Sequence, residues 1–160
     1  MATLRPATPA DAQALTRLRG FMHTAIGDTL TEEWRVACSA AFLRRLASPG
    51  FVAYLVEVDG LAVSSGVGWL EEHLPSPHQL DGRRGHIASM STDPAYRQQG
   101  HARLVFAALM DWFADQGISR VDLRATEDGR PLYESFGFRV LGGATMAWNA
   151  AGTRPGLGHS

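Results

Sequence analysis

The chain contains no lysine; all 15 of its basic residues are arginine. That excludes a P-loop lysine and a lysine Schiff base. Cysteine is almost absent as well, since Cys38 stands alone. An internal disulfide framework and a cysteine-built zinc or iron–sulfur site are therefore excluded, and no metal is expected. No apolar run approaches the roughly 18 residues of a membrane span. Met1 to Arg5 opens without the apolar core of a secretory signal. A reducing, cytoplasmic setting without a membrane partner is the expectation. Charge of one sign is also missing. The formal net charge is −1, so no global field draws the chain to nucleic acid.

The 160 residues, 45% of them hydrophobic and 19% charged, have an ordinary globular composition. A chain of this size buries about 70% of its unfolded surface and needs no staples. Residues 1–150 are expected to form a single domain and 151–160 a tail.

The punctuation of the chain predicts its elements. Thr3 to Arg5 reads as a short strand. Thr8, Pro9 and Asp11 form a capping box ahead of a helix carrying Leu15, Leu18 and Met22. Thr31 caps a second helix with Trp34, Cys38, Phe42 and Leu46 on one stripe, ended by Pro49-Gly50. Phe51 to Val58 and Leu61 to Leu70 read as strands joined by an Asp59-Gly60 hairpin turn. Glu71 to Gly85 reads as a polar loop, and His86 to Thr92 as a strand closed by Asp93-Pro94. The next helix follows Gly100, with Val105, Leu109, Trp112 and Phe113 on its apolar stripe and Leu104 and Ala108 beside them. Val121 to Ala125 is expected as a strand, Asp128 to Phe136 as a short helix, and Phe138–Val140 and Thr145–Asn149 as closing strands. The helix between His86–Thr92 and Val121–Ala125 predicts parallel neighbours with a right-handed crossover. The fold class is α+β: a mixed, twisted sheet with helices on both faces.

The stretch Arg97-Gln98-Gln99-Gly100-His101-Ala102 joins a strand to a helix. Backbone N–H groups in a first helical turn have no partners inside the helix. The helix dipole adds partial positive charge there. Gly100 permits close approach, and Arg97 supplies a cation. The arrangement suits a phosphate or pyrophosphate, although an ordinary strand–helix turn would use the same glycine. The chain has neither a Gly-x-x-x-x-Gly-Lys nor a Gly-x-Gly-x-x-Gly motif, so P-loop and dinucleotide readings fail.

Thr92 to Ala102 resembles the central motif of the GNAT N-acetyltransferases: Arg or Gln, two residues, Gly, one residue, then Gly or Ala. Leu132-Tyr133-Glu134-Ser135-Phe136-Gly137-Phe138, about thirty residues on, resembles the second motif of that family. With the element order, the resemblance covers residues 3 to 149. It implies a three-layer fold whose central parallel strands splay, with acetyl-CoA as co-substrate lying in the V. The pyrophosphate is then expected on the amides of Gln98, Gln99, Gly100, His101, Ala102 and Arg103, beside Arg97. The pantetheine is expected along Met90, Ser91 and Thr92, pairing with backbone like an added strand. Thr126 stands where many members have Asn, and Gly129 where many have Ala; Thr126 remains a cofactor contact through its hydroxyl. A homodimer is expected from the same resemblance.

The implied reaction is acetyl transfer to a primary amine by direct attack on the thioester. An alkyl amine with pKa about 10.4 is protonated at neutral pH, so something must take its proton. His86, on the amine side of the pantetheine strand, is the base candidate. Glu71, Glu72, His73 and a water chain are rivals. Tyr133 matches the family tyrosine near the thioester sulfur and is the acid candidate, since a phenol keeps its proton at neutral pH. His101 is expected to offer its backbone. Cys38, Trp34, Trp112 and Phe113 are expected in the core. Trp69 and Trp148 are candidates for the amine pocket, and Arg44-Arg45 and Arg83-Arg84 are expected to be solvated. The acceptor, a small molecule or a peptide, is not named by any cluster. A non-catalytic acyl-CoA-binding module is the alternative.

Overall fold

A computed structural model describes residues 1–152. They fall into two compact units, Met1–Leu123 and a second beginning at Arg124. Most of the tail expected at 151–160 lies outside the described residues.

The first unit is a five-stranded sheet in the order β1-β2-β3-β4-β5. Its strands are β1 (Ala2–Pro6), β2 (Phe51–Val58), β3 (Leu61–Glu72), β4 (Arg83–Thr92) and β5 (Val121–Leu123). The first four pair antiparallel, while β5 joins β4 in parallel after the crossover helix. Three helices complete the unit: α1 (Ala12–Ala25), α2 (Glu32–Leu46) and α3 (His101–Asp115).

Local chemistry sets the boundaries. The Thr8–Asp11 capping box closes as expected, though over a 3-10 turn that leads into α1. The Thr31 hydroxyl accepts the Trp34 amide at 3.0 Å and starts α2. Asp59 and Gly60 both take positive φ (51° and 79°), which the tight β2–β3 turn requires. Leu15, Leu18 and Phe42, from α1 and α2, pack with Ala53, Leu55, Val67 and Ala88 on one face of the sheet. On the other face, added side chains at Gly66, Gly68 and Gly85 would collide with Val105, Leu109 or Phe113 of α3. The missing side chains let α3 sit close to the sheet.

Several expectations need correction. The loop before β4 is shorter than 71–85, because β3 runs on to Glu72 and β4 begins at Arg83. On α3, Leu104 is 43% exposed whereas Phe106 is fully buried, so the stripe is centred on Val105, Phe106, Leu109 and Phe113. The second unit contains α4 (Arg130–Ser135), shorter than expected. Phe138–Val140 and Thr145–Asn149 form no strand, and Trp148 is 85% exposed. Neither segment pairs with a strand among the described residues, and pattern alone does not make a strand.

Candidate active site

The site is built around β4. Its parallel pairing with β5 covers only Gly85, His86 and Ile87, opposite Val121, Asp122 and Leu123. From Ala88 onward that side of β4 has no strand partner among the described residues. On the β3 side the register shifts between Ser65 and Val67. One residue of β3, Gly66, there faces two of β4, Ser89 and Met90. Ser89 takes φ 55°, a left-handed conformation rare for serine, and it is buried. The bulge brings the Met90 sulfur over Gly66, a position only glycine leaves open.

The Ser91 and Thr92 side chains are already engaged. The Ser91 hydroxyl donates to the Leu18 carbonyl at 2.5 Å, and the hydroxyls of Thr92 and Ser64 lie 2.9 Å apart. What this stretch offers a ligand is therefore its backbone. The following turn is anchored by Asp93, which accepts from the Ala95 amide at 3.0 Å and from Arg17 at 2.5 Å. Gln98 (φ 60°) and Gly100 (φ 83°) are both left-handed. Around Gly100 a Cβ would meet nothing within 4 Å. The first bond of α3 runs from the Leu104 amide to the Gly100 carbonyl (3.3 Å). The Gly100, His101 and Ala102 amides thus have no partner within the helix. Arg97, Gln98 and Gln99 are exposed around this turn. The His101 ring is buried, with Nε2 3.3 Å from the Gln99 side-chain oxygen and no partner for Nδ1 among the described residues.

At the other end of β4, His86 is a mid-strand residue rather than the strand's first. Trp69 is its cross-strand partner, and the ring centroids are 4.7 Å apart. The Trp69 indole N–H donates to Glu71 at 3.1 Å, and His73 Nε2 lies 3.0 Å from the other Glu71 oxygen. Burial raises the Glu71 carboxyl, but the hydrogen bonds of His73 and Trp69 and the nearby His86 outweigh it and hold it below its ordinary value. Both oxygens of this carboxylate are occupied, which makes it a poorer base than its position suggests. Arg45, expected in solvent, lies instead over the Phe51 and Trp69 rings at 4.6 and 4.7 Å. Nothing in the local sequence announces that contact. Arg83 and Arg84 bind the Gln116 carbonyl and the Gln79 side chain. Glu72 is exposed at the end of β3.

In the second unit, the Thr126 hydroxyl accepts the Gly129 amide at 3.1 Å and the Thr126 carbonyl accepts the Arg130 amide at 3.0 Å. Tyr133 is 8% exposed. Burial pushes its phenol above the ordinary value of 10.0, so it keeps its proton at neutral pH. A Cβ on Gly129 would stand 3.0 Å from the Tyr133 ring and 3.2 Å from its hydroxyl. Glycine at this position gives the tyrosine room. Among the described residues, no cluster of His, Cys, Asp or Glu could hold a metal, and no helix is long and apolar enough to cross a membrane.

Residues 19–138 match the model of the acetyltransferase (GNAT) family. No curated protein sequence matches the chain. Among solved structures, it is similar to a GCN5-related N-acetyltransferase from Ralstonia eutropha JMP134, with 27% identity, TM-score 0.79, and 95% of this chain and 100% of that one covered. It is also similar to a predicted acetyltransferase with acetyl-CoA from Clostridium acetobutylicum, with 22% identity, TM-score 0.83, and coverages of 92% and 96%. Glucosamine-6-phosphate N-acetyltransferase from Arabidopsis thaliana shares the fold at 17% identity, TM-score 0.75, and coverages of 92% and 98%. A match across three-quarters of the chain, on a mixed sheet that parts beside a bare helix start, means that this chain belongs to the GNAT family of acetyltransferases.

Proposed function

We propose that the protein uses acetyl-CoA to acetylate a primary amine on a small molecule or peptide. The observation that carries this reading is continuous along β4. Pairing with β5 stops at Ile87, and the edge beyond it, without a strand partner among the described residues, leads to the turn at Gly100, whose amides have no partner inside the helix. The residues fit the donor: an open backbone edge for the two amides of a pantetheine, then a concave run of N–H groups for a pyrophosphate. The empty space around Gly100 supports that fit. The family match runs through both compact units, which supports reading residues 1–150 as one catalytic domain.

When bound, acetyl-CoA supplies an activated acyl carbon and a thiol leaving group with pKa of about 8.5, by analogy with cysteine. The chain's part is to bind, orient and move protons. The amides of Gln98 to Arg103, with Arg97, hold the pyrophosphate. Met90, Ser91 and Thr92 hold the pantetheine through their backbone, since the Ser91 and Thr92 hydroxyls are already engaged. Thr126 adds a hydroxyl contact. A ring nitrogen of His86 takes the proton of the acceptor ammonium, with Trp69 fixing the ring plane. The Tyr133 hydroxyl delivers a proton to the departing sulfur. No covalent enzyme intermediate is needed.

Thiol release across a panel of primary amines, with mass spectrometry of the products, tests this. Equal amounts of free thiol and amide product support transfer. Saturable acetyl-CoA binding without thiol release from any amine would replace it with an acyl-CoA-sensing role.

A further inference from the structure

Three ring-bearing residues stand in line across the sheet. Phe51 of β2 is the cross-strand partner of Trp69 on β3, and Trp69 is that of His86 on β4. Residues directly opposite one another share a face of the sheet. The Phe51 and Trp69 rings stack with centroids 6.2 Å apart and planes 12° from parallel, and the Trp69 and His86 centroids are 4.7 Å apart. The face is the one covered by α1 and α2, since Phe51 and Trp69 pack against the core that Leu15, Leu18 and Phe42 form there.

Arg45, in the last turn of α2, lies on this row. Its guanidinium carbon is 4.6 Å from the Phe51 centroid and 4.7 Å from that of Trp69, so one cation bridges two of the three rings. A helix end favours a cation without fixing where its side chain goes. Arg44, beside it, meets that need and is exposed. Arg5 and Arg17 are held by carboxylates, whereas among the described residues Arg45 has no ion pair. What places it is the faces of the rings. The Trp69 indole is thereby held at two points. Its N–H donates to Glu71 at 3.1 Å, and its face lies under Arg45. The next ring along the row is His86.

We propose that Arg45 is a positioning residue for the reaction. By clamping Trp69 beside Phe51 it fixes the surface on which the His86 ring lies, and so orients the nitrogen that takes the acceptor's proton. Arg45 acts through Trp69 and not on the substrate. This rests on the reading of His86 as the base.

The test uses two variants: Arg45→Met keeps the aliphatic reach and removes the cation, and Arg45→Lys keeps a cation. The ring C–H resonance of His86, assigned by its loss in His86→Gln, reports the place of that ring beside Trp69 through the indole ring current. It is expected to move in Arg45→Met and to stay nearer its wild-type position in Arg45→Lys. Arg45→Met is expected to lower kcat roughly 3- to 30-fold, the range of a cation over a ring, with the KM for acetyl-CoA unchanged. Arg45→Lys should recover part of that loss. In His86→Gln protein the Arg45→Met substitution is expected to lower kcat no further. An unmoved His86 resonance in Arg45→Met overturns the proposal. An equal fall in kcat with and without the His86 imidazole also overturns it, because Arg45 would then only support the fold. The same holds for an unchanged kcat in Arg45→Met where His86→Gln is slow. If His86→Gln is as fast as wild type, the base reading has failed instead. The resonance then decides whether Arg45 sets the ring: a shift supports it, and none refutes it.

Discussion

Replacing Gly100 separates backbone strain from anion binding. Its φ is 83°, a region that costs an L-residue about 1–2 kcal/mol. A Cβ there meets nothing within 4 Å, so no packing penalty is added. Gly100→Ala and Gly100→Glu should therefore lose similar stability. For a domain of this size that is a fall in Tm of roughly 2–8 °C. Their ligand affinities should differ sharply. A carboxylate about 5 Å from a phosphate, at an effective dielectric of about 20, is repelled by about 3 kcal/mol. That raises the acetyl-CoA Kd by roughly two orders of magnitude. Calorimetric titration of the three proteins measures it. The alanine variant reads what a methyl group costs where the ligand approaches the backbone, and the glutamate variant should bind acetyl-CoA at least about a hundredfold more weakly than the alanine one. Equal affinity in the alanine and glutamate variants would remove the pyrophosphate from this turn.

The catalytic assignments carry their own expectations. Tyr133→Phe should lower kcat about 10²-fold with little change in acetyl-CoA affinity; an unchanged kcat removes the acid role. His86→Gln should lower kcat/KM about 10²-fold at neutral pH, with the deficit narrowing as pH approaches the amine pKa of about 10.4. A deficit constant with pH would mean that His86 only packs against Trp69. Hydrogen bonding from Arg5 lowers the Asp11 carboxyl, so its contribution to stability is present above the ordinary value of 3.8 and is lost as pH falls through the folded-state value. Asp11→Asn should melt below wild type at neutral pH, with the gap closing in acid; a gap constant into acid would show that the charge is not what stabilises.

What was legible in the sequence was local. The Thr8–Asp11 box, the Thr31 cap and the Asp59-Gly60 turn each depend on residues within four positions, and each is present. The parallel pairing of β4 and β5 followed from the crossover helix between them. Around the candidate site, the left-handed turn before α3 was legible at Gly100. The shape of β4 was hidden where it depends on register. The Ser89–Met90 bulge exists because β3 and β4 slip past one another at Gly66, and no residue near Ser89 marks that slip. The Arg45–Trp69–His86 stack joins α2, β3 and β4, three elements whose mutual placement is tertiary. Phe106 was missed because the α3 stripe is wide enough to bury adjacent positions 105 and 106, while Leu104 turns outward. The closing strands fail for the opposite reason: an alternating run becomes a strand only by pairing, and among the described residues these two segments do not pair.

Thermal melting with acetyl-CoA, against ATP and NAD, tests the central claim most directly. At about 100 times its Kd a ligand adds roughly 2.7 kcal/mol, which corresponds to a Tm rise of roughly 5–11 °C for a chain of this length. The account predicts that rise with acetyl-CoA alone. No rise with acetyl-CoA, or an equal rise with ATP, would contradict it, leaving the Gly100 turn at most a general phosphate site.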